Sequence, residues 1–548
     1  MAADASDAMN GYTPLFQLGD DLTDYRRLDQ AEGKYGPETV QFQDRSFLRV
    51  SDETLTALAT TAFTEIAHLL RPGHLAQLQR IHDDPEASSN DRFIALELLK
   101  NAVIASSGEF PMCQDTGTAI VVAKRGQHVL TESDDRAALS SGIGKVYEER
   151  NLRYSQLAPL TMFEEANTGD NLPAQLDIEA VPGNEYEFLF IAKGGGSANK
   201  TFLLQETRRI LEPERLLPWL EEKLVSLGTT ACPPYHLALV IGGLSAEHCL
   251  KTLKLASCRY YDGLPADGDE KGRAFRDRGL EASILEMTRS IGIGAQFGGK
   301  YFCHDVRVIR LPRHNGSLPI GLGVSCSADR QVKAKITGDG VFIERLERDP
   351  ARFLPDVDIG VDQAVRLDLS KPIEATLELL TGLDVATPVL LNGPLIVARD
   401  LVHADLSKRL AEGKPLPAYM RDHPIYYAGP AKTPAGHASG AFGPTTAARM
   451  DPYIPEFQAA GGSLITLAKG NRAKSVVASC KQQGGFYLAT IGGAAARVGR
   501  DMISRVEAID YVHYGMEAVW RIEVKDLPAF IVIDDKGNDF FQRRRSSS

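Results

Sequence analysis

Seven cysteines are the residues of this chain best suited to unusual chemistry, and their surroundings divide them. Cys113 lies in PMCQDTGT, Cys232 in TACPPYH and Cys326 in VSCSADR, each beside a strand-like run and flanked by Pro, Gly, Ser or Asp. Those contexts are loops, where ligands are usually presented. Three soft thiolates converging from distant loops would suit an iron–sulfur cluster. With only three protein ligands, one iron stays open to polarise a substrate as a Lewis acid. No spacing rule predicts that convergence. Cys249 (EHCLKTLKL), Cys258 (LASCRYY), Cys303 (YFCHDV) and Cys480 (VVASCKQQ) instead stand where a small buried hydrophobe is ordinary. No pair has C-x-x-C spacing, so zinc ribbons and thioredoxin-type redox chemistry have no support.

Charged and hydroxyl residues supply a second set of candidates. Asp115 stands two residues after Cys113, and His314 follows Arg313 at the end of the strand-like VRVIRLP. Both are acid–base candidates, imidazole being the side chain most suited to proton transfer near neutrality. Arg399 ends the run LIVAR and Lys469 the run ITLAK. Cations at strand ends of an α/β domain commonly line a ligand crevice. Thr445 and Thr446 precede a helical pattern with Arg449 one turn further in, which reads either as a simple N-cap or as a hydroxyl and amides beside an anion. Lys193–Thr201 (KGGGSANKT) approaches a phosphate-binding P-loop, but Asn199 replaces the glycine that must precede Lys200. A nucleotide site, a carboxylate- or cluster-site loop and a plain tight turn remain open readings of it.

The elements that must position these residues can be read in part. Ser51 caps a helix whose apolar face is Leu55, Leu58, Ala62, Ile66 and Leu69, stopped by Pro72-Gly73. A second helix is expected over Asn90–Ala105, with Phe93, Leu96, Leu99 and Val103 inward. Strands are expected around Ala119–Val122, Tyr186–Phe190, Ala238–Ile241 and Val306–Val308, with helical patterns within Thr201–Leu227 and Leu280–Ile291. The second half shows short strands (VLLNGPLIVA, SLITLA, GFYLATI, AFIVIDD) around one helix at about 446–459. The fold class is therefore α/β, mixed α+β. An irregular segment (1–50) precedes a larger N-terminal α/β domain (51–345), which carries the cysteine loops. A linker (346–363) leads to a smaller C-terminal α/β domain with its own sheet (364–541), and a frayed tail (542–548) ends the chain.

Composition excludes more than it names. At roughly 150 residues per domain, 548 residues make two to four domains. Lys plus Arg is 61 against 72 Asp plus Glu, a net charge of −11, which disfavours duplex nucleic acid and anionic membrane surfaces as partners. The odd cysteine count argues against a secreted disulfide framework. The first residues carry neither a secretory nor a mitochondrial pattern, and no run reaches the ~18 apolar residues of a membrane span. A cytoplasmic location is the expectation.

The motifs taken together are more specific. MCQDTGTA, NLRYSQLAPL, EANTGDNLPAQLD, IAKGGGSANK, TACPPYH, FGGKYFCHDVRVIRLPRH, GVSCSADR, LNGPLIVARDLVHA, IYYAGPAKTP, GPTTAARMD, LAKGNR and DDKGNDFF resemble the class I fumarases, iron–sulfur hydro-lyases, in that family's order from about residue 45 to 541. The resemblance implies a [4Fe–4S] cluster on Cys113, Cys232 and Cys326. It also implies substrate contacts from Gln114, Arg153, Gly196, Arg399, Arg449 and Lys469, with Thr445 as base and Asp115 with His314 as acid. It further implies a homodimer acting on malate and fumarate. Asn315–Pro319 and Ala494 depart from the family pattern without removing a named residue. A tartrate or mesaconate hydro-lyase on the same scaffold is the nearest alternative. A P-loop nucleotide binder would show ATP protection of the Gly194 loop and no iron. A non-catalytic iron–sulfur sensor of RNA fits poorly with a chain lacking a basic stripe. Cys113→Ser is expected to abolish cluster and activity, and Cys480→Ser to leave both; equal effects on iron content and turnover would undo this sorting.

Overall fold

The computed structural model describes residues 13–28, 36–355 and 364–543. Two large sheets dominate the N-terminal α/β unit. The first has six strands in the order Tyr25–Arg27, Gly340–Glu344, Gln331–Thr337, Tyr186–Lys193, Thr118–Gly126, Gln175–Val181. The second has five, in the order Phe202–Gln205, Pro319–Ser325, Tyr235–Gly243, Cys303–Arg313, Phe275–Arg276. Strand Tyr235–Gly243 is buried at every residue, as an uninterrupted apolar run must be when both faces of a sheet are covered. The C-terminal α/β unit has its own seven-stranded sheet, in which Ile425–Tyr426, Ile465–Ala468 and Phe486–Thr490 run parallel.

The chain crosses between the two N-terminal sheets twice at one place. Residues 194–201 lead from Tyr186–Lys193 to Phe202–Gln205, and residues 326–330 lead back from Pro319–Ser325 to Gln331–Thr337. Both ends of each loop are fixed in sheet strands, and the 326–330 crossover leaves the fully buried strand Pro319–Ser325. The helices behave as their patterns require. Ser51 Oγ accepts from Thr54 N at 3.2 Å and starts Asp52–His68, whose Leu55, Leu58, Ala62 and Ile66 are buried. Helix Ser89–Ala105 is buried around most of its circumference, so Ile94, Leu98 and Ala102 join Leu96 and Leu99 in the core, whereas Phe93 and Val103 are only half-buried.

Several sequence expectations change. Pro72 does not stop the first helix; it occupies the first turn of the next, Pro72–Asp83, where its missing N–H costs nothing. The 1–50 segment is not wholly irregular, since Tyr25–Arg27, Glu38–Phe42 and Arg45–Val50 are strands. Within Thr201–Leu227 the helix is Pro213–Leu227, and strand Phe202–Gln205 precedes it. The helix expected at 446–459 is broken into a 3₁₀ turn, Ala447–Met450, and Ile454–Ala459. Pro452 and Pro455 remove two donors there, and the Asp451 carboxylate accepts instead from Arg472 Nε and Ala473 N, both at 2.6 Å. The start of the expected linker packs: Pro350–Phe353 is a 3₁₀ turn with Phe353 in the core, while 356–363 lie outside the described residues. Of the expected tail, Phe540–Arg543 forms a helical turn and 544–548 lie outside the described residues.

Helices Asp52–His68 and Asp135–Glu149 approach closely at Gly142. A Cβ there would run into Thr56 O and lie 2.9 Å from Ala59 Cβ. Gly142→Ala is therefore expected to destabilise the N-terminal unit by about 1–3 kcal/mol through overpacking. The check is the denaturant midpoint of unfolding; an unmoved midpoint would mean that the helices separate freely.

Candidate active site

The three loop cysteines meet at the sheet junction. Cys113 precedes strand Thr118–Gly126, Cys232 precedes Tyr235–Gly243, and Cys326 opens the return crossover. Cys113 and Cys232 are buried and Cys326 half-buried. The thiols interact: Cys326 raises the pKa of both Cys113 and Cys232, and Cys113 raises that of Cys232. Burial is the larger cause, pushing Cys113 up and Cys232 up to about 11. Lys469 opposes the rise at both, and Arg330 opposes it at Cys113. Lys469 Nζ donates to Cys232 Sγ at 3.1 Å. Three thiols with two cations beside them form a donor set able to hold an iron–sulfur cluster, the cations favouring the thiolates that ligation needs.

The loops are fastened from behind. Ser327 N donates to Cys232 O at 3.1 Å, tying two of them together. Beneath that bond His74 Nε2 lies 2.9 Å from Ser327 O, and His74 Nδ1 lies 3.0 Å from His236 Nε2. His236 Nδ1 lies in turn 2.8 Å from Asp305 Oδ1. Gln296 Nε2 donates to Pro233 O at 3.0 Å and to Gly492 O at 2.9 Å, which anchors the Cys232 loop to the C-terminal unit. A Cβ on Gly492 would overlap Cys232 Sγ. Cys232 and Gln296 have φ of 62° and 107°. Such conformations cost a non-glycine residue about 1–3 kcal/mol and persist where the surroundings over-determine them.

Asp115 is the best-held carboxylate of the site. Its Oδ2 accepts from Gly195 N at 2.8 Å, its Oδ1 lies 3.8 Å from Arg153 Nη2, and its carbonyl accepts from Arg330 Nη1 at 2.7 Å. Burial works against ionisation, but Arg153, Arg330, Lys469 and the Gly195 amide outweigh it and hold the pKa below the ordinary value. The glycine loop meets Asp115 directly. Gly195–Ala198 is a single helical turn, and the anion at its first amide is Asp115.

The C-terminal unit closes the other side. Gln114 Nε2 donates to Pro444 O at 3.1 Å, and Gly443 is packed so tightly on the Gln114 amide that no Cβ would fit. Thr445 follows, its Oγ1 donating to Tyr427 O at 3.2 Å, and its carbonyl accepts from Lys469 N at 3.1 Å. A Cβ on Gly196 would lie 3.6 Å from Lys469 Nζ. Arg399 is 5% exposed, and its guanidinium pairs with Glu517 at 2.8 Å. Burial lowers its pKa to about 10; Glu517 opposes the shift, and Arg153 and Arg449 add to it. Arg449 is exposed and bound to Asp400, with Nε at 3.2 Å from Oδ1. The fold thus gathers Cys113, Cys232, Cys326, Gln114, Asp115, Arg153, Gly196, Arg399, Thr445, Arg449 and Lys469 around one junction.

His314 is not among them within one chain. Strand Cys303–Arg313 lies parallel to Tyr235–Gly243, with Cys303 beside Tyr235 and Arg313 beside Gly243. Cys232 is therefore at one end of the strand and His314 just past the other, about 30 Å away at ~3.3 Å per residue. His314 is exposed, and its Nδ1 accepts from Gly316 N at 3.1 Å. Sequence reading also missed Arg330, 5% exposed between Cys113, Cys326 and Asp115. Its only signal was its place four residues after Cys326. Glu517 and Asp400, the carboxylates that hold the two arginines, gave none.

Known proteins resemble this chain along most of its length. The family description "Fumarate hydratase (Fumerase)" matches residues 56–335, and "Fumarase C-terminus" matches residues 340–544. Fumarate hydratase 2 of Leishmania major is 55% identical over 546 residues, covering 99% of this chain and 96% of the relative. The aerobic class I fumarate hydratase of Escherichia coli strain K12 is 54% identical over 534 residues, covering 97% of each. That of Salmonella typhimurium is 54% identical over 538 residues, covering 98% of this chain and 92% of the relative.

Proposed function

The chain belongs to the class I fumarate hydratases, a hydro-lyase family, and from that premise we propose that its junction site reversibly hydrates fumarate to (S)-malate with a [4Fe–4S] cluster. The observation that supports this reading is the meeting of three thiols with Lys469, which donates to Cys232 Sγ at 3.1 Å, and with Arg330, which donates to the carbonyl of Asp115 beside Cys113. Cys113, Cys232 and Cys326 would hold the cluster, which supplies a Lewis acid at the iron lacking a protein ligand.

The chain's own residues supply the rest. Malate and fumarate are dianions, and Arg153, Arg399, Arg449 and Lys469 bind the two carboxylates, with Gln114 and the Gly196 backbone fixing orientation. Removal of a proton from carbon 3 delocalises charge into the neighbouring carboxylate, and preorganised cations are worth most where charge develops. Thr445 would take that proton. A neutral hydroxyl is a weak base, so its role rests on the nearby arginines and Lys469 stabilising the alkoxide. Asp115 with His314 handles the proton of the departing or entering water. His314 stands at the wrong end of its own sheet for this, so we assign it to the site of a second copy in a homodimer. No helix among the described residues is long and apolar enough to cross a membrane; we propose a cytoplasmic enzyme acting on free dicarboxylate.

Anaerobically purified protein should be brown, with about four irons and four sulfides per chain. It should form fumarate from malate in an ultraviolet assay. A colourless, fully active protein would refute the cluster, and tartrate or mesaconate turnover above that of malate would refute the substrate. The shared site has its own test. Heterodimers of Asp115→Asn and His314→Asn chains, isolated through two tags, should keep one intact site and about half of wild-type activity, while each homodimer is impaired. Heterodimers no more active than the homodimers would return His314 to a role within one chain or to none.

A further inference from the structure

A buried pair of histidines stands behind the cysteine loops, outside the chemistry proposed above. His74 lies on helix Pro72–Asp83 and His236 on strand Tyr235–Gly243; they are 0% and 1% exposed. Their outer nitrogens face acceptors that carry no hydrogen. Ser327 O meets His74 Nε2 at 2.9 Å, and Asp305 Oδ1 meets His236 Nδ1 at 2.8 Å. Asp305 is ionised, because its carboxylate also accepts from Gln77 Nε2 at 2.7 Å and pairs with Arg307 Nη1 at 2.9 Å. Both outer nitrogens are therefore protonated. The inner nitrogens, His74 Nδ1 and His236 Nε2, stand 3.0 Å apart, a hydrogen-bond distance that needs one further proton. The two rings thus share three protons and one positive charge. It resides on His236, which has Asp305 on one side and Asp329 Oδ1 at 3.7 Å on the other, whereas His74 faces a neutral carbonyl.

Both hooks of this cation fall on the crossover that carries Cys326. Through His74 it reaches the Ser327 carbonyl, and directly it faces the Asp329 carboxylate, whose Oδ2 is buried without a hydrogen-bond partner. Asp329 has φ of 36° and donates its N–H to Cys326 O at 3.0 Å, a tight turn that its surroundings must hold. Ser327 and Asp329 thus turn towards the histidines. Between and beside them, Cys326 lies with the other two thiols and Arg330 Nη1 donates to Asp115 O at 2.7 Å. His74, His236 and Asp329 also offer three donor atoms suited to a metal ion. A tetrahedral metal with bonds of ~2.0–2.1 Å keeps two nitrogens ~3.3 Å apart, wider than the 3.0 Å between these rings. A shared proton fits that gap better.

We propose that His236 is a positioning residue: as a buried imidazolium it clamps the 326–330 crossover at Ser327 and Asp329, and so aims Cys326 and Arg330 at the site. His74 is the neutral arm that carries the pull to the Ser327 carbonyl. The third ring of the group, His304, lies 4.9 Å from His74 and 5.2 Å from His236 between ring centroids. Burial and those two rings hold its pKa well below the ordinary value, so it adds no second charge. The clamp rests on this geometry alone; that the aimed thiol holds a cluster rests on the function proposed above.

The test uses the full-length holoenzyme and reads backbone hydrogen exchange of residues 325–331 by mass spectrometry. Two glutamine variants of these equally buried rings separate charge from packing. In His74→Gln the amide still donates to Ser327 O and accepts from His236, so exchange should stay within about twofold of wild type. In His236→Gln no cation remains, and exchange should quicken roughly tenfold or more, as loss of a charged hydrogen bond does. Release of iron to a chelator should quicken in parallel. Asp329→Asn keeps the shape but removes one hook, and it should quicken exchange too, which decides the matter where His236→Gln does not fold. Gly142→Ala, destabilised elsewhere in the same unit, should leave this segment unchanged. Equal effects of the two glutamine variants, equal quickening in Gly142→Ala, or no effect of His236→Gln or Asp329→Asn would overturn the clamp. So would one zinc per chain in wild type that His236→Gln removes, because a metal would then join the rings. If exchange follows the expected order in a protein that makes no fumarate from malate, the clamp stands and the function falls. If fumarate forms but exchange is the same in every variant, the function stands and the clamp falls.

Discussion

The contact between Lys469 and Cys232 binds the two halves of this molecule to a single chemical state. An ammonium from the end of a C-terminal strand donates to a buried thiol of the N-terminal unit at 3.1 Å. Burial alone would lower the Lys469 pKa, yet the thiols and Asp115 more than reverse that and keep it cationic. Burial raises Cys232, Lys469 works against the rise, and the balance leaves the thiol at about 11. Each group makes the other's charged form affordable, since a charge left alone in such a place would cost several kcal/mol. The fold must therefore assemble both units before the site has its charges. The sheet junction makes that possible by fixing both ends of the Cys326 crossover in buried strands.

The net charge of −11 would predict a surface that repels a dicarboxylate. The site reverses that sign locally, but it does not leave its arginines bare. Arg153 faces Asp115, Arg399 faces Glu517 and Arg449 faces Asp400. Partial neutralisation keeps three guanidinium groups from repelling one another, a strain visible in Arg399, whose pKa falls to about 10 chiefly through burial and further through Arg153 and Arg449. Under the proposed function, an incoming dianion would compete with these carboxylates for the same donors, and the carboxylates hold the arginines in place in its absence.

How much of this was legible depends on whether the signal is local. Cys113, Cys232 and Cys326 could be separated from the other four because loop or helix context is written in adjacent residues, and all four others are buried in the core. Arg399 and Lys469 announced themselves by ending apolar runs. The helix expected at 446–459 failed because its two prolines were outweighed by apolar spacing, when each in fact removes a donor the helix needs. Arg330 could not be found, because a buried arginine is justified only by the carbonyl and thiols that meet it, and those come from residues more than two hundred positions earlier as well as from nearby Cys326.

His314 marks the boundary of what one chain can express. Its motif reads as part of a site, yet the parallel register of Cys303–Arg313 on Tyr235–Gly243 carries it past the far edge of the sheet. No local rearrangement can bring it back, because that would slide a strand buried along most of its length and turn its inward side chains outward. An intact sheet and a functional His314 are compatible only if the carboxylate it serves belongs to another copy. The same sheet that holds Cys232 steady would then also set where that copy stands, so the placement of the thiol and the proposed placement of the second copy rest on one strand pair.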